Sequence, residues 1–143
     1  MNKRSLSGQL LFGIAVLVVF LGVTKVIAAE KGINCSIHKG ACTQALGAGE
    51  IILEINPKPV TAMKDLVFKV TVKNLSPSSA PVIDLSMPGM HMGKNKVNLQ
   101  EVTPDVYQGV GVIVRCPSGR RLWQATVDVP DVGTAAFRFD VVY

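Results

Sequence analysis

Leu66, Phe68, Val70 and Val72 alternate with Lys69, Thr71 and Lys73, and this two-residue period constrains the chain more than any other feature. Successive side chains of an extended strand point to opposite faces, so such a stretch buries one face and wets the other. The same period recurs along the chain. Ile51, Leu53 and Ile55 alternate with Glu50, Glu54 and Asn56, interrupted only by Ile52. Ile83, Leu85 and Met87 share a face opposite Asp84 and Ser86. Trp123, Ala125, Val127 and Val129 form one inward row, and Phe137, Phe139 and Val141 another. Two further strands fall at 96–102 and 106–114, the second with Gly109 and Gly111 inside it, a sign of a bulge or a close backbone approach. Between the strands lie Pro57 and Pro59, the Ser/Pro-rich 75–81, Pro88-Gly89, Thr103-Pro104-Asp105, Cys116-Pro117-Ser118-Gly119 and Asp131-Val132-Gly133. About seven short strands with regularly spaced turns predict an all-β fold, an immunoglobulin-like β-sandwich over 49–143.

The first segment follows different rules. Lys3 and Arg4 precede a run from Ser5 to Thr24 that carries no charge, and Val26-Ile27-Ala28-Ala29 offers small residues for cleavage. The run is also about 20 residues long, the span a membrane helix needs. Residues 1–29 are therefore read as a hydrophobic helix, either a cleaved signal peptide or an uncleaved anchor. In both cases the positive charges stay in the cytoplasm and the remainder is exported, periplasmic or otherwise extracytoplasmic. The net charge of +5 shrinks accordingly. From Glu30 onward 12 Lys and Arg face 10 Asp and Glu, with no basic stripe and no interleaved aromatics, which excludes a nucleic-acid partner.

Residues 30–48 are punctuated by glycine and sustain no period, so they read as a cysteine-containing linker. An exported chain meets oxidising conditions, where three cysteines imply one disulfide and one remaining thiol. One arrangement joins Cys116 to Cys35 or Cys42 and ties the linker to the sandwich. The other joins Cys35 to Cys42 and leaves Cys116 free. Cys35-x2-His38-x3-Cys42 fits no common zinc spacing and reads as a disulfide beside a surface histidine. Arg115, Arg120 and Arg121 flank Cys116, and nearby positive charge lowers a thiol pKa.

If successive strands run antiparallel, their connections alternate between two ends of the sandwich. The loop at 57–64, the loop at 87–93 and the turn at Cys116 then share one end. That end holds Met87-Pro88-Gly89-Met90-His91-Met92, the most informative run in the chain. Thioethers are soft neutral ligands suited to Cu(I), and imidazole also accepts Cu(II) and Zn(II). Met87 continues the inward parity of Ile83 and Leu85, which favours packing over ligation. Met90, His91 and Met92 follow the Pro-Gly break and are the expected ligands of one copper ion, preferentially Cu(I), with Met87 assisting and Cys116 completing the site if its thiol is free.

The run from Met87 through Tyr107, the glycine pair 109/111 and Leu122-Trp123-Gln124-Ala125 resemble the YtkA-like domain family. These are small exported or membrane-anchored domains with a methionine-containing loop, and the resemblance covers about Glu50 to Tyr143. It implies a sandwich related in shape to periplasmic copper-binding domains, and metal handling. The three cysteines are additions to that pattern.

No Gly-x-Ser-x-Gly elbow and no phosphate loop occurs, the aspartates scatter, and only His38 and His91 are available as histidines, so the chain does not read as an enzyme. The leading expectation is an exported copper-binding module, a chaperone or an accessory to metalloenzyme assembly. The alternative is a metal-free envelope domain, held at the membrane by its N-terminal segment and binding another envelope protein. A third is a thiol-redox accessory using Cys35, Cys42 and Cys116.

Overall fold

A computed structural model describes residues 32–143, and the expected signal or anchor segment lies outside the described residues. Among the described residues no helix is long and apolar enough to cross a membrane. The described residues form nine strands: β1 Cys42–Leu46, β2 Gly49–Asn56, β3 Asp65–Lys73, β4 Val82–Ser86, β5 Lys96–Asn98, β6 Gln100–Thr103, β7 Val106–Val112, β8 Leu122–Val129 and β9 Gly133–Asp140. They build two antiparallel sheets, ordered β1-β2-β3-β7-β6 and β5-β4-β8-β9, that face each other as a β-sandwich.

The alternating positions do form the core. Leu66, Phe68 and Val70 of β3 and Ile51, Leu53 and Ile55 of β2 are wholly buried against Trp123, Phe137 and Phe139 of the other sheet. Burying side chains of this size stabilises a fold by about 2 kcal/mol each, which makes the inward rows its main driving force.

Two departures from the expected seven strands have local causes. The stretch read as a linker carries β1, which pairs with β2 in the register Cys42↔Leu53 to Leu46↔Gly49. Its residues alternate only between half-buried and exposed, because it is an edge strand with little apolar content. Ile52, which interrupts the polar face of β2, is half-buried opposite Thr43 of this strand. Cys35 and Ile37, also within the expected linker, join the core.

The second departure is at 96–102. The expected single strand is two: β5 pairs with β4 in one sheet, and β6 pairs with β7 in the other. Buried Leu99 sits at the crossing. The crossing brings this segment close over β7. A Cβ on Gly109 would lie 2.4 Å from the Asn98 carbonyl, and one on Gly111 would lie 2.4 Å from Val97 Cγ2. Glycine at both positions is thus what admits the close approach.

Candidate functional site

Three connections meet at one end of the sandwich. Met87-Pro88-Gly89-Met90 closes as a β-turn in which the Met90 amide donates to the Met87 carbonyl at 3.0 Å. Proline sits second and Gly89 third, with φ +76°, the pattern of a type II turn. Cys116-Pro117-Ser118-Gly119 closes likewise, with the Gly119 amide donating to the Cys116 carbonyl at 3.0 Å. The two turns are tied by Arg120, whose Nη2 donates to the Pro88 carbonyl at 2.9 Å. The third connection, between β2 and β3, arrives through Met63. Its amide donates to the Ile113 carbonyl at 2.8 Å, and its sulfur accepts the Arg115 amide at 3.4 Å.

Cys116 is the free cysteine among the described residues, and it is buried. Both arrangements that joined it to Cys35 or Cys42 are therefore corrected. The disulfide is Cys35–Cys42, with Cα atoms 5.6 Å apart. The physical reason is that β1 pairs along β2 and the preceding loop folds back beside it, which brings those two cysteines together locally. Cys116 instead lies 3.9 Å from Met90 Sδ and 2.9 Å from Ser118 Oγ. Hydrogen bonds from the Ser118 side chain and amide, then from the Arg120 amide, with the Arg120 charge added, hold its thiol below the ordinary cysteine range despite some desolvation.

Tyr143 organises the turn from the C-terminal side. Its hydroxyl accepts the Cys116 amide at 3.2 Å and the Trp123 indole N–H at 3.4 Å, and donates to the Arg120 carbonyl. Arg115 stacks over its ring, 5.6 Å from the centroid. The wholly buried Trp123 thus anchors the site from beneath.

The structure separates the expected ligands. Met87 is buried in the core, and Met92 is half-buried against it. Met90 and His91 are exposed. The sulfurs of Cys116 and Met90 are brought together, whereas Met87 meets Met90 only through the backbone hydrogen bond of their turn. Among the described residues no group of three His, Cys, Asp or Glu side chains is placed to hold a metal ion.

Sequence reasoning passed over Met63 and Tyr143. The loop of Met63 was placed at this end by strand alternation, and a thioether in that loop was the available signal. Tyr143 has no local signal, because its role arises from tertiary contacts.

His38 is not a surface histidine. It is half-buried, with the Val60 amide donating to Nδ1 at 3.1 Å and Nε2 donating to the Asp140 carbonyl at 2.9 Å. Both ring nitrogens are thereby used in holding the 35–42 loop to the sandwich. No family model matches the chain, and no curated protein and no solved structure matches it either.

Proposed function

We propose that this protein is an exported Cu(I)-binding module whose β-sandwich, of the immunoglobulin-like kind, presents a sulfur site at the end defined by Met90 and Cys116. The observation that carries the reading is the 3.9 Å approach of Cys116 Sγ to Met90 Sδ from two separate proline turns. Metal–sulfur bonds of about 2.3 Å at a trigonal angle place two sulfurs about 4 Å apart, so this pair is spaced to share one ion. The thiol is held low in pKa by Ser118 and Arg120, which favours the thiolate that binds metal. A thiolate with thioethers is a soft donor set and selects Cu(I) over Zn(II). Met92 and His91 follow Met90 on the same loop and are the further donors; buried Met87 forms the floor. The resemblance of the Met loop and the Trp123 strand to YtkA-like domains points the same way. The N-terminal segment exports the domain, as a signal peptide or as a membrane anchor. The domain serves as a carrier or assembly accessory and has no catalytic role.

Titration with Cu(I) against a chromogenic chelator tests this reading. Wild type is expected to bind one ion, and Cys116→Ser combined with Met90→Leu to weaken binding at least 100-fold with the fold intact, since Leu and Met differ little in volume. Unchanged affinity in that double variant overturns the reading.

A further inference from the structure

Around the sulfur pair the surface is apolar at its centre and basic at its rim. Met63 is 66% exposed and Met90 36%, and Val114 beside them is 39% exposed. These are large values for side chains of this kind gathered at one end. Lys64, Lys94, Arg115 and Arg120 are all exposed around them. Arg121, at the same end, is already neutralised by Asp140 at 2.8 Å. Asp65 is a further exposed carboxylate here, and Glu54 is paired with Lys58 of the 57–64 loop at 3.4 Å.

The opposite end has the reverse sign. Its turns and strand ends carry Glu50, Glu101, Asp105, Asp128 and Asp131 against Lys73. The sandwich is therefore an electric dipole with its positive pole on the sulfur site. Such a field orients an incoming partner of opposite charge and raises its association rate by about 10–10³-fold.

We propose that this face, centred on Met63 and Met90 and ringed by Lys64, Lys94, Arg115 and Arg120, is the docking surface for an acidic protein that exchanges Cu(I) with the Cys116–Met90 pair. The inference rests on the copper reading. The exchange is a ligand substitution: a donor sulfur of the partner bonds to Cu(I) as one of the sulfurs here releases it, and the ion's charge is unchanged. Met63 is placed for that hand-over. Its sulfur lies 3.4 Å from the amide of Arg115, the neighbour of Cys116, and it is the most exposed of these thioethers. A protein partner fits better than a lipid surface. The exposed apolar groups here are thioethers and a valine, which repack against varied protein surfaces, and among the described residues the exposed large hydrophobics include no aromatic that would anchor in a lipid interface.

Methionine-oxidation footprinting of the full chain, metal-free and at low salt, is the test. The probes are a glutamate-rich peptide containing a Cys-Gly-Gly-Cys segment, its lysine-rich analogue, and phosphatidylglycerol or phosphatidylcholine vesicles. The acidic peptide is expected to slow oxidation of Met63 and Met90 at least threefold, the lysine peptide to have no effect, and Lys64→Glu with Lys94→Glu to abolish the protection. With Cu(I)-loaded protein, transfer to the acidic peptide is expected to be at least tenfold faster than to the lysine peptide, with the difference vanishing at high salt. A flat footprint in protein that binds Cu(I) overturns the docking surface and leaves the copper reading standing. Protection without any Cu(I) binding supports the surface and overturns the copper reading. Protection by phosphatidylglycerol vesicles but not by the acidic peptide overturns the protein partner in favour of a membrane contact.

Discussion

Cys35 and Cys42 close a short loop that is bound down on every side, whereas Cys116 and its neighbouring methionines are held by their turns and left chemically open. Just before the closed loop, Asn34 imitates a strand. Its Oδ1 accepts the Arg138 amide at 2.7 Å and its Nδ2 donates to the Ala136 carbonyl at 3.1 Å, while its own amide and that of Cys35 donate to the Arg138 carbonyl. His38 adds two further bonds. The exposed edge of β9 is thereby covered, which is a common protection against edge-to-edge pairing. At the open end the backbone is equally well held, through the two turns, Tyr143 and Arg120. The side chains with soft donors remain unengaged by any covalent bond. The same element, sulfur, serves as a staple in one region and as a ligand candidate in the other, and the difference lies in which strands bring the cysteines into reach.

Three changes break or sharpen this contrast. The largest effect is expected within the Met run itself. Met87→Ala removes a buried side chain and should cost about 2–5 kcal/mol, while Met90→Ala should cost little, as measured by urea unfolding. Equal costs would erase the distinction between floor and ligand. Next, Cys35→Ser with Cys42→Ser removes a crosslink of sequence separation 7. The chain-entropy relation for so short a loop gives a loss of about 2–3 kcal/mol, visible as a fall in Tm. Cys116→Ser should leave Tm nearly unchanged. The smallest effect is Asn34→Ala, which should cost about 1 kcal/mol and raise hydrogen exchange at the Arg138 amide, because that amide loses its side-chain acceptor.

Much of this architecture was readable from period alone. The rows Leu66–Val72 and Trp123–Val129 lie in the core as their alternation predicts, with Val67 the one apolar residue on the outward face of the first, and the glycines 109 and 111 mark a true close approach. Strand alternation also brought the loops at 57–64 and 87–93 to the same end as Cys116. What stayed hidden depends on partners distant in sequence. β1 has too little apolar content to show a period, and its existence depends on pairing with β2. Nothing local marks Leu99 as the point where the chain changes sheets. The disulfide was one of two open arrangements because choosing between them needs the path of β1. In the candidate site, residue type pointed to Met90 and Cys116, whereas the support from Ser118 and Tyr143 follows from turn geometry and the position of the C-terminus.

The passage of the chain from β5 to β6 has a mechanical meaning. These are edge strands of different sheets, and Leu99 joins them directly. Along that margin the two layers share one backbone, like pages at a spine. Along the other margin the edges are β1 and β9, which lie side by side without a ladder between them. There the Cys35–Cys42 bond connects β1 to the loop lying on β9 and works as a clasp. A load that pries the layers apart meets covalent resistance at the spine under all conditions. At the clasp the join to β9 is made by the hydrogen bonds of Asn34 and Cys35 to the Arg138 carbonyl, and the disulfide keeps those residues on a short tether to β1; a reductant lengthens that tether to the whole 35–42 loop and leaves the clasp slack.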